Sequence, residues 1–149
     1  MTDHNTTSAL PELLSRADEA ITIIPGEELT TYNGHALVLG TSDWVDWTVR
    51  DGHTMGTRAR EVSEDGKIFV IAHPKSEGHP FCTGCRWAFA DLLPGVARHI
   101  EVWNGPWTPC PKNPGGVALF YQWLDRGYRM VATCGTDTPR LAGEGQRFG

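Results

Sequence analysis

The spacing of apolar residues changes along the chain, and each spacing predicts a different element. A leucine stripe over residues 9–20 indicates a short N-terminal helix, with Ser8 as its N-cap. The β-branched run at residues 21–24 that follows is typical of a strand. The chain is therefore predicted to begin with a helix and then to become extended.

A β-hairpin is predicted next. The dipeptide Asn33-Gly34 lies between the extended segments 29–32 and 35–40, and this dipeptide is the strongest short signal for a hairpin turn. Residues 44–49 alternate between large apolar and polar side chains, which favours a longer second arm. The hairpin is expected to lead into the rest of the sheet.

From residue 53 onward, segments with helical spacing alternate with apolar runs of strand length. In chain order they are a helix over 53–62, a strand over 67–72, a helix over 82–93, a strand over 99–103, a helix over 117–126 and a strand over 129–133. This order predicts an α/β domain with three layers, α/β/α, around a mixed and largely parallel sheet preceded by the N-terminal hairpin. The continuous apolar run 67–72 is expected in the centre of the sheet, with 99–103 beside it.

Length and charge limit the classes of function. At 149 residues the chain is predicted to be one domain, with an N-terminal helical segment over 1–20 and a flexible tail over 135–149. The net charge of −5 counts mildly against binding to a nucleic-acid backbone, which usually needs an excess of basic residues. No apolar run approaches the roughly 18 residues that span a bilayer, and the polar first eight residues carry no signal peptide. These features predict a cytoplasmic protein without membrane contact, although export as a toxin domain without a cleaved signal would leave no such mark.

The chemistry of the chain is concentrated at Cys82-Thr83-Gly84-Cys85, where a Pro/Gly-rich loop gives way to the helix predicted over 82–93. Two cysteines at this spacing either ligate one metal ion or form a redox disulfide. His53 is the preferred third ligand, because it is expected to open the helix before the central strand. His73 and His79 compete with it, and Cys110 or Cys134 can complete a structural site.

These features resemble the cytidine-deaminase-like superfamily, in particular the bacterial toxin deaminases of the SCP type that act on DNA. The resemblance covers roughly residues 29–104 and includes the step of 29 residues from His53 to Cys82 and the Leu92-Leu93-Pro94 run. It implies that His53, Cys82 and Cys85 bind zinc in a deaminase-like fold. It also implies a nucleic acid or nucleoside as ligand and an immunity-type protein as partner.

The chain departs from the family motif at one decisive position. The family has His-x-Glu, in which the glutamate moves protons, whereas this chain has His53-Thr54-Met55. A thioether neither accepts nor donates a proton, so no catalytic residue is assigned and catalysis is predicted to be weak or lost. The prediction is therefore a zinc-binding, deaminase-like protein, and whether it is an enzyme stays open.

Two other functions fit the same residues. A thioredoxin-like protein would use Cys82 and Cys85 as a thiol/disulfide pair, although nine residues separate Ala72 from Cys82, more than such domains usually have. A non-catalytic module would use zinc to stabilise a binding surface. The sequence assigns no residue to a cofactor other than zinc.

Overall fold

The computed structural model describes residues 1–78, 82–90, 94–105 and 112–137. Its strands are β1 (Thr2–His4), β2 (Gly26–Thr31), β3 (Gly34–Leu39), β4 (Ile68–Ala72), β5 (His99–Asn104) and β6 (Val131–Gly135). Its helices are α1 (Leu10–Leu14), α2 (Met55–Glu64) and α3 (Lys112–Asp125). None of these helices is long and apolar enough to cross a membrane.

The six strands form one mixed sheet in the order β1-β2-β3-β4-β5-β6. The pairs β2–β3 and β3–β4 are antiparallel, whereas β1–β2, β4–β5 and β5–β6 are parallel. The predicted α/β class with a mixed sheet is confirmed. Strand β4 lies between β3 and β5, as expected for a continuous apolar run.

The hairpin formed by β2 and β3 turns one residue earlier than predicted. Thr31 pairs with Gly34, so the two turn residues are Tyr32 and Asn33. Gly34 is needed for a different reason, because a Cβ there would lie 2.8 Å from the Trp87 ring and 3.1 Å from the Phe89 ring. The glycine of the Asn-Gly pair therefore allows two aromatic side chains to approach the strand.

One hydrophobic cluster joins the sheet to the helices. Its sheet residues include Leu29, Ala36, Val38, Phe69, Ile71 and Ile100, and its helical residues include Met55, Ala59, Val62 and Trp123. Helix α2 begins at Met55, after the side chain of Thr54 accepts a hydrogen bond from the Thr57 amide as an N-cap. Because α2 and α3 both contribute to this cluster, it is the core of the described residues. The predicted arrangement in three layers stays a prediction.

The N-terminal region differs from the sequence prediction. Helix α1 covers only Leu10–Leu14, and residues 21–24 and 44–49 form no strand. The Asp18 carboxylate accepts hydrogen bonds from the amides of Ala20 and Ile21, which holds a turn where the helix was expected to continue. The short strand β1, which pairs in parallel with β2, is too brief and polar to show a hydrophobic period.

The CxxC segment is not the start of a helix within the described residues 82–90, and the predicted end at Leu92 and Leu93 lies outside the described residues. Gly84 has a φ of +71°, and a Cβ on it would overlap the Thr31 carbonyl. The amide of Trp87 donates to Pro74 O at 3.2 Å, and that of Ala88 donates to Asn33 O at 2.7 Å. These amides bind neighbouring segments, so the chain crosses the hairpin turn as an irregular loop.

Candidate metal centre

Strand register brings together two buried histidines that are far apart in sequence. His35 is the second residue of β3 and pairs with Ala72, the last residue of β4. His73 follows Ala72 directly, and the two imidazole ring centroids are 5.2 Å apart. The antiparallel pairing of β3 and β4 therefore fixes this histidine pair at one end of the sheet.

The CxxC loop adds a sulfur atom to the pair. One ligand atom from each of His35, His73 and Cys85 lies within 4.8 Å of the other two, and all three residues are buried. The loop is tied to the histidines through Thr83, whose carbonyl oxygen lies 2.8 Å from His35 Nε2. The three residues thus form a compact set of nitrogen and sulfur donors.

The hydrogen bonds around the two rings define which nitrogens can face a metal. A carbonyl oxygen only accepts, so His35 Nε2 carries the proton and donates to Thr83 O. His73 Nδ1 lies 2.8 Å from Glu101 Oε2 and donates to it. The remaining nitrogens, His35 Nδ1 and His73 Nε2, face each other at 3.2 Å.

The separation of these two nitrogens is the one that a tetrahedral metal site requires. Two nitrogens bound to one zinc ion at about 2.0–2.1 Å lie roughly 3.3 Å apart. Metal-bound histidines almost always donate their other N–H to a carboxylate or a backbone carbonyl, which fixes the ring. Glu101 and the Thr83 carbonyl occupy those positions for His73 and His35.

Glu28 is a second carboxylate beside the histidines. Its Oε1 atom lies 2.8 Å from His35 Nδ1, 3.6 Å from His73 Nε2 and 3.7 Å from His4 Nδ1. Burial alone would raise the pKa of Glu28, but the hydrogen bond from His35 and the charges of His73, His4 and His35 hold it below 4.5. Glu28 is therefore an ionised carboxylate at the mouth of the donor set.

His73 shows the opposite shift. Burial lowers the pKa of His73, but the hydrogen bond and charge of Glu101 and the charges of Glu28 and Asp137 outweigh it, so the pKa is raised above 6.5. The carboxylates thus place a strongly negative potential at this end of the sheet. Such a potential favours a cation, either a proton or a metal ion.

Cys82 lies next to Cys85, and the two are placed as a disulfide with Cα atoms 5.5 Å apart. In the reduced state Cys85 offers a thiolate beside the histidines and Cys82 follows at a Cα distance of 5.5 Å, whereas in the disulfide neither sulfur is a thiolate ligand. The state of this pair therefore controls whether the site contains sulfur ligands.

A cavity of about 360 Å³ lies beside this cluster. Glu28, His73, Glu101 and Asn104 line it, together with β1, the last residue of β6 and residues 136–137. The Asn104 side chain is held by Lys112, whose Nζ donates to Asn104 Oδ1 at 2.7 Å. The volume falls in the range of about 300–1,000 Å³ that is typical of small-molecule pockets.

The structure brings only part of the predicted metal site together. Cys82 and Cys85 adjoin each other, and Cys85 lies beside His73, which was an alternative ligand in the sequence prediction. His53 belongs to no metal-ligand group of the described residues, and its Nδ1 lies 3.2 Å from Arg58 Nη2. Met55 is fully buried in the hydrophobic cluster.

The other predicted ligands add little to the site. Cys134 is a free, exposed thiol on β6, and His79 and Cys110 lie outside the described residues. Sequence reasoning missed His35 and Glu28. A usable signal was present for His35, a polar residue inside the predicted apolar segment 35–40, whereas Glu28 precedes the predicted segment 29–32.

Comparison with known proteins finds no protein-family model that matches the chain and no curated protein with significant similarity to it. The geometry of the site is therefore the basis on which a function is assigned.

Proposed function

We propose that this chain is a zinc-binding protein whose centre is formed by Cys82, Cys85, His73 and His35 in the reduced state. The observation that carries the proposal is the convergence of His35, His73 and Cys85 at one point, each of them buried. Zinc is the metal that best suits a mixed set of thiolate and imidazole ligands with tetrahedral geometry.

The charge of the site supports the same conclusion. Two thiolates, Glu28 and Glu101 would bring four negative charges to a largely buried region, and uncompensated charges are costly there. A divalent cation offsets part of this charge, and the hydrogen-bonded rings are already oriented for it. The centre therefore gains stability when metal and thiolates are present together.

A hydrolytic function of the deaminase type is a second candidate, and Glu28 and the neighbouring cavity are the observations that favour it. A bound zinc ion would supply a Lewis acid that lowers the pKa of water. Glu28 lines the cavity and can hold a proton at Oε1, a role that the buried Met55 cannot fill. The cavity volume suits a ligand of nucleoside size more than a nucleic-acid strand, and a protein partner of the immunity type stays part of this hypothesis only.

A thiol/disulfide function is favoured by the Cys82–Cys85 pairing. In that case the two histidines and their carboxylates would tune the thiols, with no metal in the working cycle. Metal content of the reduced protein separates this function from the zinc centre.

The test uses protein purified under reducing conditions, with zinc content measured per chain and Co²⁺ substituted as a spectroscopic probe. We expect one metal ion per chain and a near-ultraviolet thiolate-to-cobalt band. His73→Ala should lower the affinity of the thiolate site by more than the roughly 10–100-fold that supporting residues contribute. His53→Ala is the matched control and should leave the band unchanged.

The opposite results would overturn the assignment. A reduced protein that binds no metal and readily forms the Cys82–Cys85 disulfide supports the redox function. Loss of the band in His53→Ala but not in His73→Ala would restore the ligand set predicted from the sequence. For the hydrolytic candidate, ammonia release from cytidine is measured with wild type and Glu28→Gln, and activity that survives the substitution removes Glu28 from the mechanism.

A further inference from the structure

We propose that His4, Glu28 and His35 form a second metal position that needs no thiol and takes a divalent cation such as Zn²⁺ or Co²⁺. One ligand atom from each of the three residues lies within 4.8 Å of the others. The inference rests on the proposed zinc centre in one respect only, because the two positions share His35.

The sheet register holds this second group in place. Strand β1 pairs in parallel with β2 so that His4 lies opposite Glu28, and in the hairpin Thr30 lies opposite His35. Glu28 and Thr30 are two residues apart on one strand, so their side chains and that of His35 share one face. His4 Nδ1 is 3.7 Å from Glu28 Oε1 and 2.5 Å from the Thr30 hydroxyl, which can rotate when a metal takes its place.

The donor set differs in kind from that of the thiolate centre. Two imidazoles and one carboxylate are typical of metal sites that keep open coordination positions, whereas two cysteines with two histidines form a closed site. The side chain of His4 is 62% exposed, and His4 and Glu28 both line the 360 Å³ cavity. Water or a small ligand can therefore reach a cation at this position.

The two positions exclude each other. His35 Nε2 donates to Thr83 O, so a metal would bind at Nδ1, where it would replace the proton that Nδ1 donates to Glu28 Oε1. The Nδ1 atom lies between Glu28 Oε1 at 2.8 Å and His73 Nε2 at 3.2 Å, and it can serve one ion at a time. When Cys82 and Cys85 are thiolates the ion is held with His73, and when they are not it is held with His4 and Glu28.

The experiment uses Co²⁺ as the probe and compares wild type with the double variant Cys82→Ser/Cys85→Ser. We expect the double variant to bind one Co²⁺ per chain, with weak visible bands and without the near-ultraviolet thiolate band. Adding His4→Ala to the double variant should lower the Co²⁺ affinity by about tenfold or more. In the reduced wild type, His4→Ala alone should leave the thiolate band unchanged.

Controls separate this inference from the zinc centre. His53→Ala in the double-serine background should leave Co²⁺ binding unchanged, and circular dichroism shows that each variant is folded. A folded double variant that binds no Co²⁺, or whose binding ignores His4, overturns the second position. Two Co²⁺ ions in the reduced wild type overturn the mutual exclusion. A wild type without the thiolate band, combined with His4-dependent binding in the double variant, overturns the thiolate centre and keeps the second position.

Discussion

The two faces of the sheet bury different kinds of side chain. On one face, Leu29, Ala36 and Ile71 join the apolar cluster formed with α2 and α3. On the other face, at the end of the sheet near the CxxC loop, Glu28 and His35 are buried with His73 and Glu101. Strand alternation separates the strand residues of the two sets, because neighbouring residues of a strand point to opposite faces. His73 follows the end of β4 with a φ of +27°, so its side chain reaches the polar face although Ile71, two residues earlier, lies on the apolar face.

The comparison of the two faces shows how this protein accommodates buried polar groups. An unpaired polar group in the interior costs about 1–3 kcal/mol, whereas a paired one costs little or stabilises. On the polar face each imidazole has an oxygen partner at 2.8 Å, so the members depend on one another. The apolar face depends on shape and volume instead, and it accepts changes that conserve both.

Glu27 is a polar residue on the apolar face, and it shows the cost of burying a polar group that is only partly paired. It is fully buried, and one carboxylate oxygen accepts a hydrogen bond from the Val45 amide at 2.7 Å. The other oxygen has no hydrogen-bond partner among the residues that the structure describes. Burial therefore raises the pKa of Glu27, with the Val45 hydrogen bond acting against the shift.

The largest effect is expected from a charge placed in the apolar cluster. Met55→Glu should lower the free energy of unfolding by about 3–5 kcal/mol, the cost of an uncompensated buried charge. Met55→Leu conserves volume and should cost less than about 1.5 kcal/mol. Urea denaturation measures both. Near-equal stability of the two variants, or deaminase activity gained by Met55→Glu, would place residue 55 in the functional site and remove it from the core.

A smaller effect is expected on the polar face, where a supporting carboxylate is neutralised without changing its shape. Glu101→Gln should weaken zinc binding about 10–100-fold, because the amide no longer holds the His73 ring as firmly as the carboxylate. Glu61→Gln, at an exposed carboxylate that pairs with Arg58, is the matched control and should leave zinc affinity unchanged. Competition with a chromophoric chelator measures the affinities. Equal affinities for the two variants would contradict the role of Glu101.

The smallest effect is expected from Glu27→Gln, which keeps an acceptor for the Val45 amide and removes the charge. A raised carboxyl pKa means that folding favours the protonated form, so wild-type stability falls as the pH rises from 4.5 through the folded-state pKa. Glu27→Gln has no carboxyl group to titrate, so its stability does not fall in this way. At pH 7 it should therefore be more stable than wild type, although the new amide NH2 in place of the unpartnered Oε1 should keep the gain below about 1 kcal/mol.

Near pH 4 this advantage should disappear, because the wild-type carboxyl is then protonated. Urea denaturation across this pH range measures the difference, and a constant difference at all pH values would show that Glu27 does not titrate with folding. Glu64→Gln, on the exposed end of α2, serves as the control for removal of one negative charge.

The sequence by itself determined the class of fold and the cysteine half of the site. The Asn33-Gly34 signal and the apolar run 67–72 locate the hairpin and β4 because both are local patterns, although β2 begins at Gly26, before the predicted segment 29–32. The CxxC pair was found for the same reason, since its spacing lies within one short segment. The end of α1 was harder to predict, because hydrogen bonds from the Ala20 and Ile21 amides to the Asp18 carboxylate form a turn there.

Only the tertiary structure decided which histidines accompany the cysteines. His35, His73 and Cys85 are separated by 38 and 12 residues in sequence, and the β3–β4 register and the path of the CxxC loop bring them together. Before folding, the chain offers six histidines, and the resemblance to a known motif favoured His53. Strand pairing over long sequence separations is the property that a single sequence shows least. The histidines of the candidate metal centre therefore emerged only from the fold, whereas the CxxC pair was visible in the sequence.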